Sequence, residues 1–309
     1  MSGRIAVVGS NMVDLITYVT RMPDKGETIE APNFALGCGG KGANQAIAAA
    51  RLGADVLMVT RVGDDIFADN TIANFKANGI DTRFVRKVPG TPSGVAPIFV
   101  EPNGENSILI VKGANAHLSP AAVEEAGEAL KGCALILMQL EVPLETIYAT
   151  VAFGAAHGIP TLLNPAPAVP ELDVERLRTL SFLTPNETEL AILSGMPVAS
   201  ETEVEAAARS LIAKGVRTVI VTMGARGALL VEEKGATRIA PVRVTPKDTT
   251  GAGDAFIGSF AHYYTQSGDI AAALHKAVRY AADSITRNGT QSSYATLAEF
   301  EAFCATIDA

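Results

Sequence analysis

The chain is short of sulfur, of excess positive charge and of long apolar runs, and each shortage closes off a class of proteins. It has three cysteines, Cys38, Cys133 and Cys304. They are far apart, odd in number and without CxxC spacing, so neither a disulfide framework nor a zinc site is expected, and a reducing compartment fits. The four histidines, His117, His157, His262 and His275, form no ligand pattern. Lys and Arg number 25 against 33 Asp and Glu, a formal net charge of -8. Such a balance argues against nucleic acid or an anionic membrane as the main partner, while leaving room for a local phosphate site. No stretch approaches the roughly 20 apolar residues of a membrane span. The apolar run in MSGRIAVVGSNMVD is too short for a signal peptide and is followed by an acid. A cytoplasmic protein is expected. The pattern GxxxxGK followed by Ser or Thr does not occur, which disfavours a P-loop nucleotide site.

What is present suits a large α/β body. The 309 residues are 48% hydrophobic and 19% charged, enough apolar material for a sizeable core. RIAVVG (4–9) ends in glycine and reads as a buried strand, 43–52 as an alanine-rich helix stopped by Gly53, 56–62 as a strand and 68–78 as a helix. From about residue 120, helices (120–129, 145–157, 187–194, 203–214) alternate with the short apolar strands ALILMQ, TLLN, 182–184 and TVIVT. That alternation implies a mostly parallel sheet covered on both faces. Helices at 254–266, 269–287 and 297–306 close the chain. Between 83 and 112 the pieces FVRKV, GVAPIFV and SILIV are separated by PGTPS and EPNGEN, which are rich in turn formers. This stretch reads as an antiparallel meander separate from the main sheet, joined by a strand near 28–36. The expected architecture is a three-layer α/β sandwich with a small β lid inserted at about 14–38 and 83–113.

Four segments carry chemistry. Gly37-Cys38-Gly39-Gly40-Lys41-Gly42-Ala43-Asn44 precedes a helix, so its glycines allow close backbone approach to a ligand. It matches GxGxxG, but the strong strand lies nearly thirty residues upstream, which counts against a dinucleotide site. A glycine-rich turn is the plain alternative. Asp248-Thr249-Thr250-Gly251-Ala252-Gly253-Asp254 opens another helix. Small residues there expose N–H groups at a positive helix end that can hold a phosphoryl group, and Asp254 beside it can take a proton from a hydroxyl. An aspartate at that place also serves as an ordinary helix cap. Thr184-Pro185-Asn186-Glu187-Thr188-Glu189 offers oxygens to a magnesium shell, although acids favour helix starts in any case. The stretch 222–227 suits a nucleotide loop or a simple turn. Asp14 and Glu141 follow the ends of strands, where parallel sheets line their crevices, and both suit sugar hydroxyls.

Together these segments resemble the ribokinase family of sugar kinases over essentially the whole chain. GGKGANQA (39–46), NPAPA (164–168), TPNETE (184–189) and DTTGAGDAF (248–256) occur in family order. The resemblance implies that Asp254 is the catalytic base and that the amides of Gly251, Ala252 and Gly253 form an anion hole. It places Asn11, Met12, Asp14, Gly39, Gly40, Lys41, Gly42, Asn44, Glu141 and Asp254 at the sugar. ATP would lie against Asn186, Thr222, Met223, Gly224, Ala225, Arg226, Gly227, Gly253 and Asp254, and Glu189 would reach Mg2+ through water. A potassium ion would take oxygens from Asp248, Thr250, Ser284, Arg287, Gly289 and Ser293, and the lid would pair two subunits into a homodimer.

One departure bears on the substrate. Ribokinases typically carry Asn two residues before the sugar-binding Asp, and here that place is Met12. A thioether does not replace the hydrogen bonds of an amide, so the chain is similar to the deoxyribokinase branch, acting on 2-deoxy-D-ribose. Ribose, fructose or a nucleoside are the alternatives among kinases. A nicotinamide-dependent oxidoreductase using residues 37–42 and a non-catalytic sugar sensor are the alternatives from other classes.

Overall fold

The computed structural model describes residues 3–102 and 105–307. Met1 and Ser2, and Asn103 and Gly104 in the middle of the expected turn at 101–106, lie outside them. In chain order, β1 (Arg4–Val8) leads to β2 (Met12–Tyr18) and β3 (Asn33–Gly39), then α1 (Lys41–Arg51), β4 (Val56–Val62), α2 (Ile66–Ala77), β5 (Asp81–Lys87), β6 (Val95–Val100) and β7 (Asn106–Ile108). Alternation follows through α3 (Pro120–Glu125), α4 (Gly127–Leu130), β8 (Cys133–Gln139), α5 (Leu144–His157), β9 (Thr161–Asn164), β10 (Phe182–Leu183), α6 (Glu187–Ser194), α7 (Glu201–Ala213) and β11 (Thr218–Thr222). The hairpin β12 (Ala228–Glu232) and β13 (Gly235–Ile239) precedes α8 (Ala252–Ser267), α9 (Ile270–Ser284) and α10 (Leu297–Ile307).

The main sheet has nine strands in the order β13-β12-β11-β10-β9-β8-β1-β4-β5. From β11 to β5 all neighbours are parallel, and β12 runs antiparallel to both β11 and β13. Alternation along each strand feeds two cores. Ile5 and Val7 face a layer that includes residues of α1, α8, α9 and α10, whereas Ala6 and Val8 face residues of α3, α5 and α7. Burial on both faces is why these strands are unbroken apolar runs. The alanine-rich α1 packs against α8 at Gly258, where a Cβ would stand 2.5 Å from the Gln45 carbonyl oxygen and 2.6 Å from Ala48 Cβ. Only a glycine lets those two helices come so close.

A second sheet, β3-β2-β6-β7, stands apart from the first. It differs from the expected meander in two ways. FVRKV belongs to β5, the parallel edge strand of the main sheet, and not to the small sheet. The reason is topological: β4, α2 and β5 form a strand–helix–strand unit, whose crossover returns the chain parallel to its start. Within the small sheet, β2 and β6 pair in parallel, because nearly eighty residues and much of the main body separate them. The helix expected at 120–129 is interrupted at Ala126, the junction of α3 and α4. The hairpin β12–β13 is an addition that the sequence reading did not anticipate.

Strand order reverses beside β1. The chain builds β4 and β5 on one side of it, then crosses to β8 and continues outward on the other. In open α/β sheets the crevice forms at the carboxyl ends of strands at such a switch point. Ser10 after β1, Glu141 after β8, Asn164 ending β9, Thr184 after β10 and Thr222 ending β11 all sit along that edge. Among the described residues no helix is long and apolar enough to cross a membrane.

Candidate active site

Along this edge lies a cavity of about 210 Å³, with Lys41, Asp254 and residues 251–253 at one end and Asn186, Glu189 and Thr222 at the other. Helix α8 starts there. Its N-cap, Gly251, has φ +76°, and no side chain caps the helix. Donors at the first turn therefore lack the usual side-chain acceptor and face the cavity. Gly253 is exposed, and no atom lies within 4 Å of where its Cβ would be. Tyr294, with its hydroxyl donating to the Gly251 carbonyl at 3.0 Å, backs the turn from behind.

Asp254 is 6% exposed. Asn44 Nδ2 donates to its Oδ2 at 2.9 Å and Gln45 Nε2 to its Oδ1 at 3.0 Å. Asn44 was expected to hold the sugar. Its amide bridges Asp254 and Gln291, whose Nε2 donates to Asn44 Oδ1 at 2.9 Å.

Glu141 Oε2 accepts from Ser10 Oγ at 2.5 Å and from the Lys41 N–H at 2.9 Å. Gly42 presses on Ser10, where a Cβ would lie 2.6 Å from the Ser10 backbone, and Gly40, at φ +88°, sits equally close to Asn11 and Met12. The glycines thus let the β3–α1 turn lie directly on the chain after β1. Asp14, on β2, points to the same edge and packs over Gly39, where a Cβ would meet its carboxylate at 2.3 Å. Burial, reinforced by Glu141 and then Asp254, pushes the Asp14 carboxyl up to about 6. Lys41 faces the same acids. Burial pulls its ammonium down, but Asp254, Glu141 and Glu189 outweigh that and leave it above its ordinary value.

Met12 is buried on the same face of β2 as Asp14, with Sδ 3.7 Å from Asn115 Nδ2. Asn11 departs from expectation. Its Nδ2 donates to Thr60 Oγ1 at 2.9 Å and to the Arg61 carbonyl at 2.8 Å, so this amide ties β1 to β4 and does not face the crevice.

At the other end, Asn186 and Glu189 form a reciprocal capping box on α6, each side chain bonded at 2.8 Å to the other's backbone N–H. Burial pushes the Glu189 carboxyl up, against the pull of the Asn186 N–H and of Lys41. Thr184 Oγ1, on the cavity wall, is buried without a hydrogen-bond partner among the described residues. Of the segment 222–227, only Thr222 lines the cavity. Gly224 and Ala225 are exposed on the turn beyond it, and Gly227 (φ +86°) is buried beside the Ile239 carbonyl. Met223 points into the core, so its side chain does not meet a ligand. Arg226 is ion-paired with Glu187, which pins the turn to α6.

The residues expected around a cation come together behind Gly251. Asp248 accepts from the N–H of Thr250 at 2.9 Å and of Gly289 at 2.8 Å, and these donors hold its carboxyl below the usual range despite burial. Arg287 donates to the Ser293 carbonyl at 2.9 Å and pairs with Asp283. Ser284 is buried, with its hydroxyl on the Ala281 carbonyl.

Gln45, Gln139, Asn164 and Gln291 were given no role in the sequence reading. A usable signal was present: single amides inside apolar runs, as in ALILMQ and ANQAIAAA, are rarely buried without a partner.

An exposed helix N-terminus facing a carboxylate, at the switch point of a mostly parallel sheet with a small second sheet, defines a phosphotransferase crevice, and the pfkB carbohydrate kinase family matches residues 2–297. The chain belongs to that family and is a kinase that moves a phosphoryl group from ATP to a sugar hydroxyl. It is 59% identical over 299 residues to a deoxyribokinase of Salmonella typhi, covering 97% of this chain and 98% of that one. A Bacillus subtilis ribokinase is 40% identical over 297 residues, 96% of this chain and 98% of its own. The structure of Arabidopsis thaliana ribokinase complexed with ribose and ATP superposes with a TM-score of 0.91 at 29% identity, covering 98% and 99% of the two chains. The nicotinamide alternative falls with this. It fails structurally as well, because residues 37–42 span the end of a strand of the small sheet and the start of α1, and follow no strand of the parallel sheet.

The raised Asp14 carboxyl makes stability depend on pH. A carboxyl that holds its proton more tightly when folded contributes stability that is complete below the unfolded value of 3.8 and lost as pH rises through about 6. Asp14→Asn should therefore raise the melting temperature of the ligand-free protein near pH 7.5, and the gain should shrink towards zero near pH 4. Thermal melts across that range check it; an equal gain at both ends would remove Asp14 as the source.

Proposed function

We propose that the sugar is 2-deoxy-D-ribose, phosphorylated on its 5-hydroxyl, with Asp254 as general base. The observation that carries the reading is Asp254 itself: a carboxylate in the first turn of an uncapped helix, at the mouth of a cavity. Asp254 takes the hydroxyl proton as the oxygen attacks the γ-phosphorus, the bond from that phosphorus to the β–γ bridging oxygen breaks, and ADP leaves. The N–H groups opening α8 and the Lys41 ammonium receive the charge that spreads over the transferred phosphoryl. Asp14 and Glu141, with the backbone of residues 39–42, hold the sugar hydroxyls, and the small sheet closes over them and excludes water. The adenine nucleotide lies towards Asn186 and Thr222, where the unpartnered Thr184 hydroxyl faces the same space.

The donor set fits the ions expected. Glu189 and Asn186 are oxygen donors on the cavity wall, the type that serves magnesium through its water shell. Magnesium supplies charge neutralisation on the ATP phosphates. The loops of Asp248, Thr250, Ser284, Arg287, Gly289 and Ser293 converge behind the anion hole with a carboxylate, hydroxyls and carbonyls, hard ligands suited to potassium. Turnover in potassium should exceed turnover in choline at equal ionic strength; equal rates would refute cation activation.

For the choice of sugar, the identity to deoxyribokinases and Met12 point the same way. A sugar hydroxyl left without a partner beside the thioether is disfavoured by about 1–3 kcal/mol, tenfold or more in preference. A single kinetic panel over ribose, 2-deoxyribose, fructose and a nucleoside tests both parts. Asp254→Asn should fold, bind ATP and lose about a hundredfold or more in kcat; near-normal turnover would remove the base. Met12→Asn should shift kcat/KM towards ribose, and an unchanged ratio would defeat the specificity argument.

The lid supports pairing into a homodimer. Phe34 (55% exposed) and Leu36 (59% exposed) alternate onto the face of β3 opposite Asp14, and a second copy would cover them. Sedimentation of the parent and of Phe34→Lys with Leu36→Lys should give a dimer and a monomer; a monomeric parent would end this reading.

A further inference from the structure

We propose that Gln45 and Gln291 are positioning residues for Asp254, each a member of one of two amide relays that fix the rotation of its carboxylate. The proposal rests on the reading of Asp254 as the base. One relay runs from Gln139, whose Nε2 donates to Gln45 Oε1 at 2.7 Å, and on from Gln45 Nε2 to Asp254 Oδ1 at 3.0 Å. The other runs from Asn74 Nδ2 to Gln291 Oε1 at 2.8 Å, from Gln291 Nε2 to Asn44 Oδ1 at 2.9 Å, and from Asn44 Nδ2 to Asp254 Oδ2 at 2.9 Å. Gln45 and Gln139 are fully buried, and Asn44 and Gln291 nearly so.

Two features set these relays apart from ordinary core packing. The first is their polarity. Gln45, Gln291 and Asn44 each accept at the amide oxygen from the previous residue and donate NH2 towards Asp254, and Gln139 Oε1, at the head of its relay, is buried without a partner among the described residues. That order is consistent only with an acceptor-only group at the end, which is a carboxylate. The second is convergence: one relay ends on each carboxylate oxygen, so rotation about the Cβ–Cγ bond breaks a bond on either side. Gln45 is braced further. Its Nε2 also reaches Asn164 Oδ1 at 3.3 Å, and Asn164 Nδ2 donates to the Thr184 carbonyl at 3.0 Å on the cavity wall. Gly9 leaves the space for Gln139, since a Cβ there would lie 2.1 Å from Gln139 Oε1. Five buried amides are an expensive way to fill a core that apolar side chains would fill. Each carboxylate oxygen retains a further lone pair for the sugar hydroxyl, and the clamp holds the carboxylate plane in one orientation.

The test uses Gln45→Met and Gln291→Met, which keep most of the volume and remove one donor each, alone and in the Asp254→Asn background. Each single variant should lose about tenfold to a hundredfold in kcat while KM for ATP stays within about twofold. In the Asp254→Asn background neither should cause a further loss, because there is no base left to position. Should Gln45→Met fail to fold, Gln291→Met, in the other relay, carries the same comparison. Full kcat in the single variants beside an inactive Asp254→Asn would overturn the clamp and leave the base standing. Losses that repeat in the Asp254→Asn background would show a structural role only and also overturn it. An active Asp254→Asn would bring down the base and the clamp together.

Discussion

The site depends on one electrostatic arrangement: a buried carboxylate placed at the positive end of a helix. Asp254 is held between Asn44 and Gln45 at the start of α8, which no side chain caps. The helix start offers charge to a phosphoryl group, and the carboxylate offers a lone pair to an alcohol. Both depend on the same turn being left uncovered, and Gly251 and Gly253 provide that. A bulkier residue at 251 would meet Thr290 and the Tyr294 hydroxyl, within 2.7 Å of a Cβ.

Around that point the protein concentrates negative charge. Asp14, Glu141, Glu189 and Asp254 share one edge, with Lys41 among them, and burial first, then Glu141 and Asp254, pushes the Asp14 carboxyl up to about 6. This arrangement works against the stability of the empty protein at neutral pH. Acceptor groups are what a polyhydroxylated substrate needs, and a bound sugar supplies the missing donors. The same side chains thus destabilise the empty state and recognise the ligand.

Much of the architecture was legible in the chain. RIAVVG, ALILMQ, TLLN and TVIVT are buried parallel strands, and the helix expected at 187–194 is α6. The capping residues of α6 were visible as an acid three residues after Asn186. FVRKV was misplaced because an edge strand of a parallel sheet and a lid strand share the same composition. The resemblance placed Asn11 at the sugar, yet its amide donates to Thr60 and to the Arg61 carbonyl. Met223 was likewise carried along with its loop, although it is the residue that anchors the loop in the core.

The sequence alone determined what repeats locally: strand and helix periodicity, the glycines of 37–42, and the uncapped start at 251–254. These follow from backbone sterics and from side chains within a few residues of each other. Only the tertiary structure decided that Asn44 and Gln45 end on Asp254, about 210 residues away, and that Gln291 reaches Asn44 from 247 residues further along. Those bonds exist because strand order brings α1, α8 and the segment before α10 to one corner. Strand order arises from the packing of whole faces, which no short stretch of sequence encodes.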